Sequence, residues 1–196
     1  MLGYIGWQYY GTNIVAKKDH AEIRKVISED WRNGTDGEYI GLLRVPRFGD
    51  DYEVPIVRGF DDAALAKGVG TYEKAAMPGE LGNFAVAAHR VTHGEPFRDF
   101  PELREGDLVY VETRTAIFTY QLRNDGDSIT LDFTVGWPLQ QVPDPAMRGE
   151  PPRANVITML TCAELFNTRN RNVVIGDLVD IVDKADPDRE IELPAA

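Results

Sequence analysis

A chain of 196 residues is long enough for one domain with a packed core and too short for two. Its 43% hydrophobic and 27% charged residues are the composition of a folded globular protein, which excludes a disordered chain. The net charge of -11, from 21 basic and 32 acidic residues, argues against nucleic acid and against an anionic membrane surface as partners, because both are bound through clustered Lys and Arg.

The first 16 residues carry no charged side chain, and their Trp and Tyr residues precede Lys17 and Lys18. The run is shorter than the ~20 apolar residues that span a bilayer, and it lacks the basic start and the cleavage site of a signal peptide. Aromatic residues beside a Lys pair are nevertheless typical of the interfacial end of a membrane helix. We therefore expect residues 1–16 to be either a trimmed membrane anchor or a segment packed on the domain.

The next segment predicts an amphipathic helix that begins with Asp19 as its cap and ends at Gly34. Its apolar residues recur at helical spacing at Ile23, Val26, Ile27 and Trp31. His20, near the predicted start, is expected to be solvated. Residues 1–37 are thus predicted to form a membrane-proximal segment with an amphipathic helix.

After a polar linker at 33–37, the chain changes to short β-type runs separated by Pro and Gly. A short helix is predicted over 61–67, a brief helical turn over 97–103, and a long loop over 138–153, which holds five prolines. The predicted strands are 39–45, 53–57, 84–89, 108–112, 116–122, 129–134, 156–161 and 173–182. Eight short strands indicate a mostly β barrel or sandwich over residues 38–185, followed by a polar tail at 186–196.

The chain has one cysteine, Cys162, at the end of a predicted strand. Strand alternation puts Thr158, Leu160 and Cys162 on one face. In the same way Ala85, Ala87 and His89 share a face, and the small alanines leave room beside the histidine for an extended peptide. A thiol and an imidazole near one another indicate covalent catalysis, although a lone cysteine is more often a small buried core residue.

An arginine completes the candidate set, because its permanent positive charge can lower the pKa of a thiol and stabilise an oxyanion. Arg171 opens the strand that follows Cys162, and Arg169 lies two residues earlier. Alternation puts both on the same side, so the spacing does not choose between them.

The remaining polar clusters have simpler interpretations. His93 follows His89 by four residues, but on a strand and turn rather than a helix, so we expect a surface or cleft-wall histidine and not a zinc ligand. Paired acids such as Asp50-Asp51 and Asp61-Asp62 are expected in solvated turns, with a calcium site as the less favoured alternative. We expect no metal and no cofactor.

Four separated segments resemble, in order, the signature segments of sortases: GVGTY at 68–72, MPGELGNF at 77–84, AHRVTHG at 88–94 and TMLTC at 158–162. The sequence around His89 most resembles that of class E sortases, the actinobacterial housekeeping type. The resemblance implies a closed or nearly closed eight-stranded β-barrel, with Cys162 as nucleophile, His89 as proton carrier and Arg171, followed by aliphatic residues, as oxyanion ligand. The implied contacts with substrate are Ala87, Ala88, Thr158, Leu160 and Thr161.

Three residues depart from the family's usual motifs. Met159 stands where Leu is usual, a change of similar volume that we expect to be tolerated. Ala88 stands where Gly is usual, and its methyl is expected to narrow the cleft or alter the strand there. Asn172 replaces an aliphatic residue, so the face opposite Arg171 is expected to be solvated or hydrogen-bonded.

The activity implied by the resemblance is transpeptidation of a C-terminal Leu-Ala-x-Thr-Gly or Leu-Pro-x-Thr-Gly sorting signal onto a peptidoglycan-precursor amine. Class E enzymes tend to prefer Leu-Ala-x-Thr-Gly. The implied location is the extracytoplasmic face of the cell membrane, with an N-terminal anchor. Two alternatives remain open: a cysteine peptidase that hydrolyses its thioester, and a noncatalytic β-barrel binding module with a structural cysteine.

Overall fold

The computed structural model of the chain describes residues 12–162 and 169–187, with the backbone alone for residues 12–14, 17 and Cys162. Most of the uncharged segment predicted at 1–16, and most of the tail predicted at 186–196, lie outside the described residues. Along the described part of the chain, no helix combines the length and the apolar character needed to cross a bilayer.

The described residues form a closed barrel of eight strands with a ninth strand attached. In chain order the nine are β1 Tyr39–Arg44, β2 Val54–Arg58, β3 Val69–Thr71, β4 Gly82–Ala87, β5 Leu108–Glu112, β6 Ala116–Leu122, β7 Thr130–Asp132, β8 Asn155–Cys162 and β9 Asn170–Asp183. The ring runs β6, β5, β1, β2, β3, β4, β8, β9 and closes by pairing β9 with β6. Strand β7 pairs only with the beginning of β9. The two parallel pairs are β2 with β3 and β4 with β8.

The predicted mostly β fold with an eight-stranded barrel is confirmed, but one member of the ring differs. The segment predicted at 129–134 forms the short attached β7, while β3, which was not predicted, completes the ring. Strand β3 is three residues long and centred on Gly70, a residue that normally signals a turn. The glycine is needed because a side chain there would collide with the backbone of Gly59.

The barrel interior follows strand alternation. On β8, Ile157 and Met159 are fully buried in the main core, whereas Leu160 packs in a separate outer cluster. The main core is filled mostly by large aliphatic and aromatic side chains, among them Leu43, Ile56, Phe84, Phe97, Phe100, Val109, Tyr120 and Leu122.

The N-terminal helix, α1, spans Thr12–Arg32 and begins before the predicted cap at Asp19, which lies inside the helix. Its buried face is made by Ile23 and Ile27, which pack on Leu42 of the outer face of β1. Val26, predicted on that face, is instead 45% exposed.

The prediction that His20 is solvated is wrong, because the side chain is only 5% exposed. His20 precedes Ile23 by three residues and Ile27 by seven, which puts it on the buried face of α1. This burial brings the helix against the loop that follows β4.

The second helix, α2, spans Asp62–Lys67 and agrees with the prediction. The carboxylate of Asp61 caps it by accepting a hydrogen bond from the Ala64 N–H at 2.8 Å, and Gly68 follows its end. The turn predicted at 97–103 contains a single 3-10 turn at Phe100–Glu102.

Candidate active site

The site is built where three neighbouring strands end. In the parallel pairing of β4 with β8, Ala87 lies opposite Leu160, and the Ala88 N–H donates to the Leu160 carbonyl at 3.2 Å. Continued by two residues, this register sets His89 beside Cys162. On the other side of β8, the antiparallel register sets Cys162 opposite Arg171. The backbone therefore places Cys162 opposite Arg171, with His89 in the segment just after the neighbouring β4, and we call these three residues the row.

The structure separates the two arginines that the spacing left equivalent. Arg171 is half-buried, and its Nη1 donates to the Asn170 carbonyl at 2.9 Å. Arg169 is exposed, forms an ion pair with Asp132 at 3.2 Å, and lies over the Phe133 ring at 5.1 Å. The register thus puts Arg171 opposite the cysteine position, whereas Arg169 is engaged by residues of β7 and the loop after it.

Asn172 has the hydrogen-bonded environment that was predicted for it. The side chain is 3% exposed, and its Oδ1 accepts a hydrogen bond from the Thr130 hydroxyl at 3.0 Å. This bond fastens β7 to β9 on the face opposite Arg171.

The imidazole of His89 is half-buried, and its Nε2 is sealed from solvent without a hydrogen-bond partner among the described residues. The pKa of His89 is lowered from the ordinary 6.5 to about 4, mainly by burial and also by the neighbouring His93, while Asp62 acts in the opposite direction. Burial thus favours the neutral form of the His89 imidazole.

His93 lies on the cleft wall, one of the two positions expected for it. Its ring stacks on the ring of His89, with centroids 4.7 Å apart and an interplanar angle of 29°. Nothing in the sequence indicated this contact, because it depends on the shape of the turn between the two residues.

The five residues predicted to contact substrate divide into two groups. Ala87 and Leu160 are partly exposed on the outer face, with the buried Thr158 on the same side. Ala88 and Thr161 are 5% and 2% exposed, and the Thr161 hydroxyl donates to the Ala88 carbonyl at 2.9 Å, which ties β8 to the chain after β4. The role of all five as substrate contacts stays a prediction.

Two consequences were expected of the extra methyl at Ala88, a narrower cleft or an altered strand. The first is not what the structure shows. Ala88 belongs to the barrel core, so the extra methyl is accommodated by packing inside the barrel. The second expectation, a local change of strand geometry, is consistent with β4 ending at Ala87 rather than at the predicted residue 89.

The long loop over 138–153 is fastened beside β4. The Asn83 side-chain amide donates to the carbonyls of Pro138 and Gln140, both at 2.8 Å, and the Gln141 amide donates to the Lys74 carbonyl at 2.7 Å. Trp137, just before the loop, packs in the outer cluster with Leu160. The loop is therefore fastened near the start of β4, at the end of the strand away from His89.

Among the described residues, no group of three or more His, Cys, Asp and Glu side chains is arranged to hold a metal ion. Asp61 is a helix cap, as its hydrogen bond to α2 shows.

A closed barrel with this row at its strand ends is the arrangement of the sortase family. Residues 43–179 match the sortase domain family, so the chain belongs to the sortases. The sequence is 32% identical to sortase SrtE1 of Streptomyces coelicolor over 195 residues, which covers 92% of this chain and 53% of SrtE1. It is 27% identical to SrtE2 of the same organism, which covers 95% of this chain and 79% of SrtE2.

Solved structures of class E sortases are also similar to this chain. Sortase E from Streptomyces avermitilis superposes with a TM-score of 0.66 at 32% identity, covering 76% of this chain and 93% of that one. Sortase E1 from S. coelicolor with a tripeptide in the active site gives a TM-score of 0.62 at the same identity and coverage. The similarity to class E is thereby confirmed, while the chain spans only about half the length of SrtE1.

Proposed function

We propose that this chain is a cysteine transpeptidase that cleaves a C-terminal sorting signal after Thr and joins the released carbonyl to an amine. The observation that supports the proposal is the pairing of Cys162 with Arg171 on β8 and β9, with His89 two residues beyond the end of β4, the other neighbour of β8. Such a row supplies a nucleophile, a proton carrier and a fixed positive charge within reach of one peptide bond.

In the proposed acylation, the Cys162 thiolate attacks the Thr carbonyl carbon and forms the C–S bond. Arg171 stabilises the oxyanion that develops on the carbonyl oxygen. As the tetrahedral intermediate collapses, the C–N bond breaks, and protonated His89 donates its proton to the leaving amine. The products are a thioester on Cys162 and a peptide with a free amino terminus.

In the proposed second half, an acceptor amine attacks the thioester and the Cys162 thiolate leaves. Neutral His89 accepts the proton that the amine loses, which restores the imidazolium and the starting state. Thiolate and imidazolium have to coexist, so the pH profile of activity belongs to the pair rather than to either residue. A cysteine peptidase would differ only in using water in place of the amine.

For the substrate we propose an extended peptide of the Leu-Ala-x-Thr-Gly or Leu-Pro-x-Thr-Gly type, with Leu-Ala-x-Thr-Gly preferred. The outer face of β4 and β8 supports this choice, because Ala87 is small and the partly exposed Leu160 offers an apolar contact. A tripeptide occupies the active site of the related sortase E1. The proposed acceptor is the amine of a peptidoglycan precursor.

We further propose that the protein acts at the extracytoplasmic face of the cell membrane, held by an N-terminal anchor. The support is the uncharged run at 1–16, with aromatic residues before Lys17 and Lys18. Fractionation of cells that express the full-length protein tests this. We expect the protein in the membrane fraction and accessible to external protease, and recovery in the cytoplasmic fraction would contradict the proposal.

The activity is tested by incubating the protein with labelled Leu-Ala-x-Thr-Gly and Leu-Pro-x-Thr-Gly peptides, with and without an amine acceptor. Because Cys162 is the only cysteine, mass spectrometry can assign a thioester adduct to it without ambiguity. We expect the adduct and a ligated product, both lost in Cys162→Ala.

Three other outcomes would contradict parts of the proposal. Hydrolysed product alone, even at high amine concentration, would favour a cysteine peptidase. Unchanged cleavage by Cys162→Ala would exclude both catalytic assignments. Tight binding of the peptide without cleavage would indicate a binding module.

A further inference from the structure

The turn that follows β4 has an unusual backbone. His93, Gly94 and Glu95 are consecutive residues with positive φ, at 53°, 84° and 54°. Residues with a Cβ rarely adopt this left-handed conformation, because the Cβ crowds the backbone. Such conformations persist where the surroundings hold them, and they are frequent at functional sites.

One set of contacts holds the turn to the barrel. The Phe97 N–H donates to the His89 carbonyl at 3.0 Å, and the Phe97 side chain is fully buried in the core. Within the turn, the Glu95 N–H donates to the Thr92 carbonyl at 3.1 Å, and the Glu95 carboxylate binds Arg98 at 2.7 Å. The loop from His89 to Phe97 is therefore closed at both ends.

A second set of contacts holds the turn from outside, through α1. A Cβ built on Gly94 would lie 2.9 Å from His20 Cε1 and 3.5 Å from Ala16 Cβ, so the helix packs directly on this glycine. Ala16 is 4% exposed and His20 is 5% exposed. His20, which was predicted to be solvated, thus packs over the turn.

The result of both sets of contacts is the stacked pair of imidazoles, 4.7 Å apart. We propose that His93 is a positioning residue for the imidazole of His89, held against it by the left-handed turn 93–95 and by the face of α1 that carries His20. The inference rests on the proposed function, in which His89 carries the proton. In this proposal α1 contributes to the site indirectly, because it packs on the turn that holds the His93 ring against His89.

The groups that act on His89 come from several elements. Cys162 and Arg171 lie opposite each other on β8 and β9, beside the chain that continues from β4 to His89. From the turn, His93 covers one face of the ring and lowers its pKa in addition to burial, while Asp62 of α2 raises the pKa. A neutral His93 therefore fixes the ring and excludes water from it, and a charged His93 would repel the imidazolium.

The groups that act on His20 are also balanced against one another. Burial comes first and lowers its pKa to about 4, and it is assisted by Arg24 and weakly by His93, while the backbone of Ala66 and the carboxylate of Asp19 oppose it. The neutral form of His20 is thus the one that packs against Gly94 at neutral pH.

The test uses the fact that the chain has three histidines, each of which can be assigned by a single substitution. Protein labelled with ¹⁵N-histidine is titrated by NMR in a Cys162→Ala background, where no thiol titration couples to His89. His93→Asn removes the ring but keeps a residue that tolerates the left-handed conformation. His93→Phe keeps the ring and removes only the titratable nitrogen atoms.

We expect His93→Asn to raise the pKa of His89 by roughly 1 unit, since one ring face is exposed to water and a repelling neighbour is lost. His93→Phe should raise it by only a few tenths, because the face stays covered. His20→Gln, which weakens the contact of α1 with the turn, should also raise the pKa of His89, but by less than His93→Asn does. Glu22→Gln, on the exposed face of α1, is the control. With Cys162 restored, the acidic limb of the pH–rate profile should move in the same direction, to higher pH, although the size of the shift belongs to the Cys162–His89 pair.

An unchanged His89 pKa in folded His93→Asn would overturn the inference, and so would equal shifts for His93→Asn and His93→Phe. The titration requires no turnover, so its outcome is independent of the transpeptidase assignment. If the protein ligates peptides but the pKa of His89 is unchanged by the His93 substitutions, only the positioning role is refuted. A protein that titrates as expected but never forms an acyl-enzyme would refute only the proposed function.

Discussion

Two walls of the same barrel differ in the partners of their polar side chains. On the wall formed by β1, β2 and β5, Arg44 lies between two carboxylates, with Glu53 at 2.7 Å and Glu112 at 2.6 Å. Lys184 adds a second ion pair to Glu112 at 2.8 Å. On the wall formed by β4, β8 and β9, the buried Thr158 hydroxyl and His89 Nε2 have no hydrogen-bond partner among the described residues.

A buried polar group without a partner costs free energy, and proteins rarely keep one without a use for it. On the charged wall the carboxylates of Glu53 and Glu112 are ion-paired with Arg44 and Lys184, although Glu112 Oε2 contacts Arg44 without the geometry of a hydrogen bond. The wall with the row of three residues leaves groups unsatisfied where a peptide would lie. The two walls thus differ in whether their buried polar groups face an opposite charge, and substitutions on each side test whether they also differ in function.

The largest effect is expected at the arginine opposite Cys162. Arg171→Lys keeps the charge but loses the planar fork, and removal of one oxyanion donor typically costs about 10²–10³ in rate. Arg169→Lys is the matched control, since Arg169 is exposed and paired with Asp132. Initial rates of ligation should fall at least 100-fold for the first and less than about 3-fold for the second. Comparable losses in both would remove the distinction that the register makes.

The next effect concerns the pH dependence of the unfolding free energy, through His20 of α1. Native His20 has a pKa of about 4, against 6.5 when unfolded, so between these values the unfolded state binds more protons. The free energy of unfolding should therefore decrease as the pH is lowered from about 6.5, by up to ~3 kcal/mol near pH 4.

Urea unfolding at a series of pH values measures this contribution. His20→Gln should flatten the pH dependence, while Glu22→Gln on the exposed face of α1 should retain the wild-type dependence. Parallel curves for wild type and His20→Gln would show that this side chain is not the source.

A smaller effect is expected on the charged wall. Glu112→Gln removes the acceptor shared by Arg44 and Lys184, at a cost of about 1–2 kcal/mol in unfolding free energy, because the cluster is only partly shielded from solvent. Ligation rates below the unfolding transition should change less than about 2-fold, because the residue lies on the wall without the row. A large loss of activity at full stability would mean that the two walls are not separate in function.

The smallest effect is expected at Thr158. Thr158→Val replaces a buried hydroxyl without a partner by a methyl of similar shape, which should raise the unfolding free energy by up to ~1 kcal/mol. If the hydroxyl is kept for substrate, KM for the peptide should rise at the same time. A more stable variant with unchanged KM would show that the hydroxyl has no role in the groove.

Much of the site followed from sequence because its residues lie in regular strands. Strands β5 and β6 have the predicted bounds, and the strands that bear Cys162 and Arg171 differ from prediction only at their ends. Alternation placed Thr158 and Leu160 on one face, and the structure shows that this face lies outside the main core. What alternation could not supply was the pairing of β8 with β9, and this pairing is what separates Arg171 from Arg169.

The errors arose where tertiary contacts override local signals. Asp19 resembles a helix cap, but α1 extends through the uncharged residues before it, so the carboxylate lies within the helix. His20 and Val26 were assigned to the wrong environments because the helix face is set by what it packs against. The contact of His93 with His89 needs two non-glycine residues in left-handed conformation, for which the sequence carries no signal.

The central claim is that His89, Cys162 and Arg171 act as one site, and a double-mutant cycle on the acylation step tests it most directly. Single-turnover formation of the Cys162 adduct is measured for His89→Asn, Arg171→Lys and the double variant. Groups that act on one intermediate are strongly non-additive, so the double variant should be less than about 10-fold slower than the slower single variant. Multiplication of the two losses would show that His89 and Arg171 act independently, and it would contradict the account.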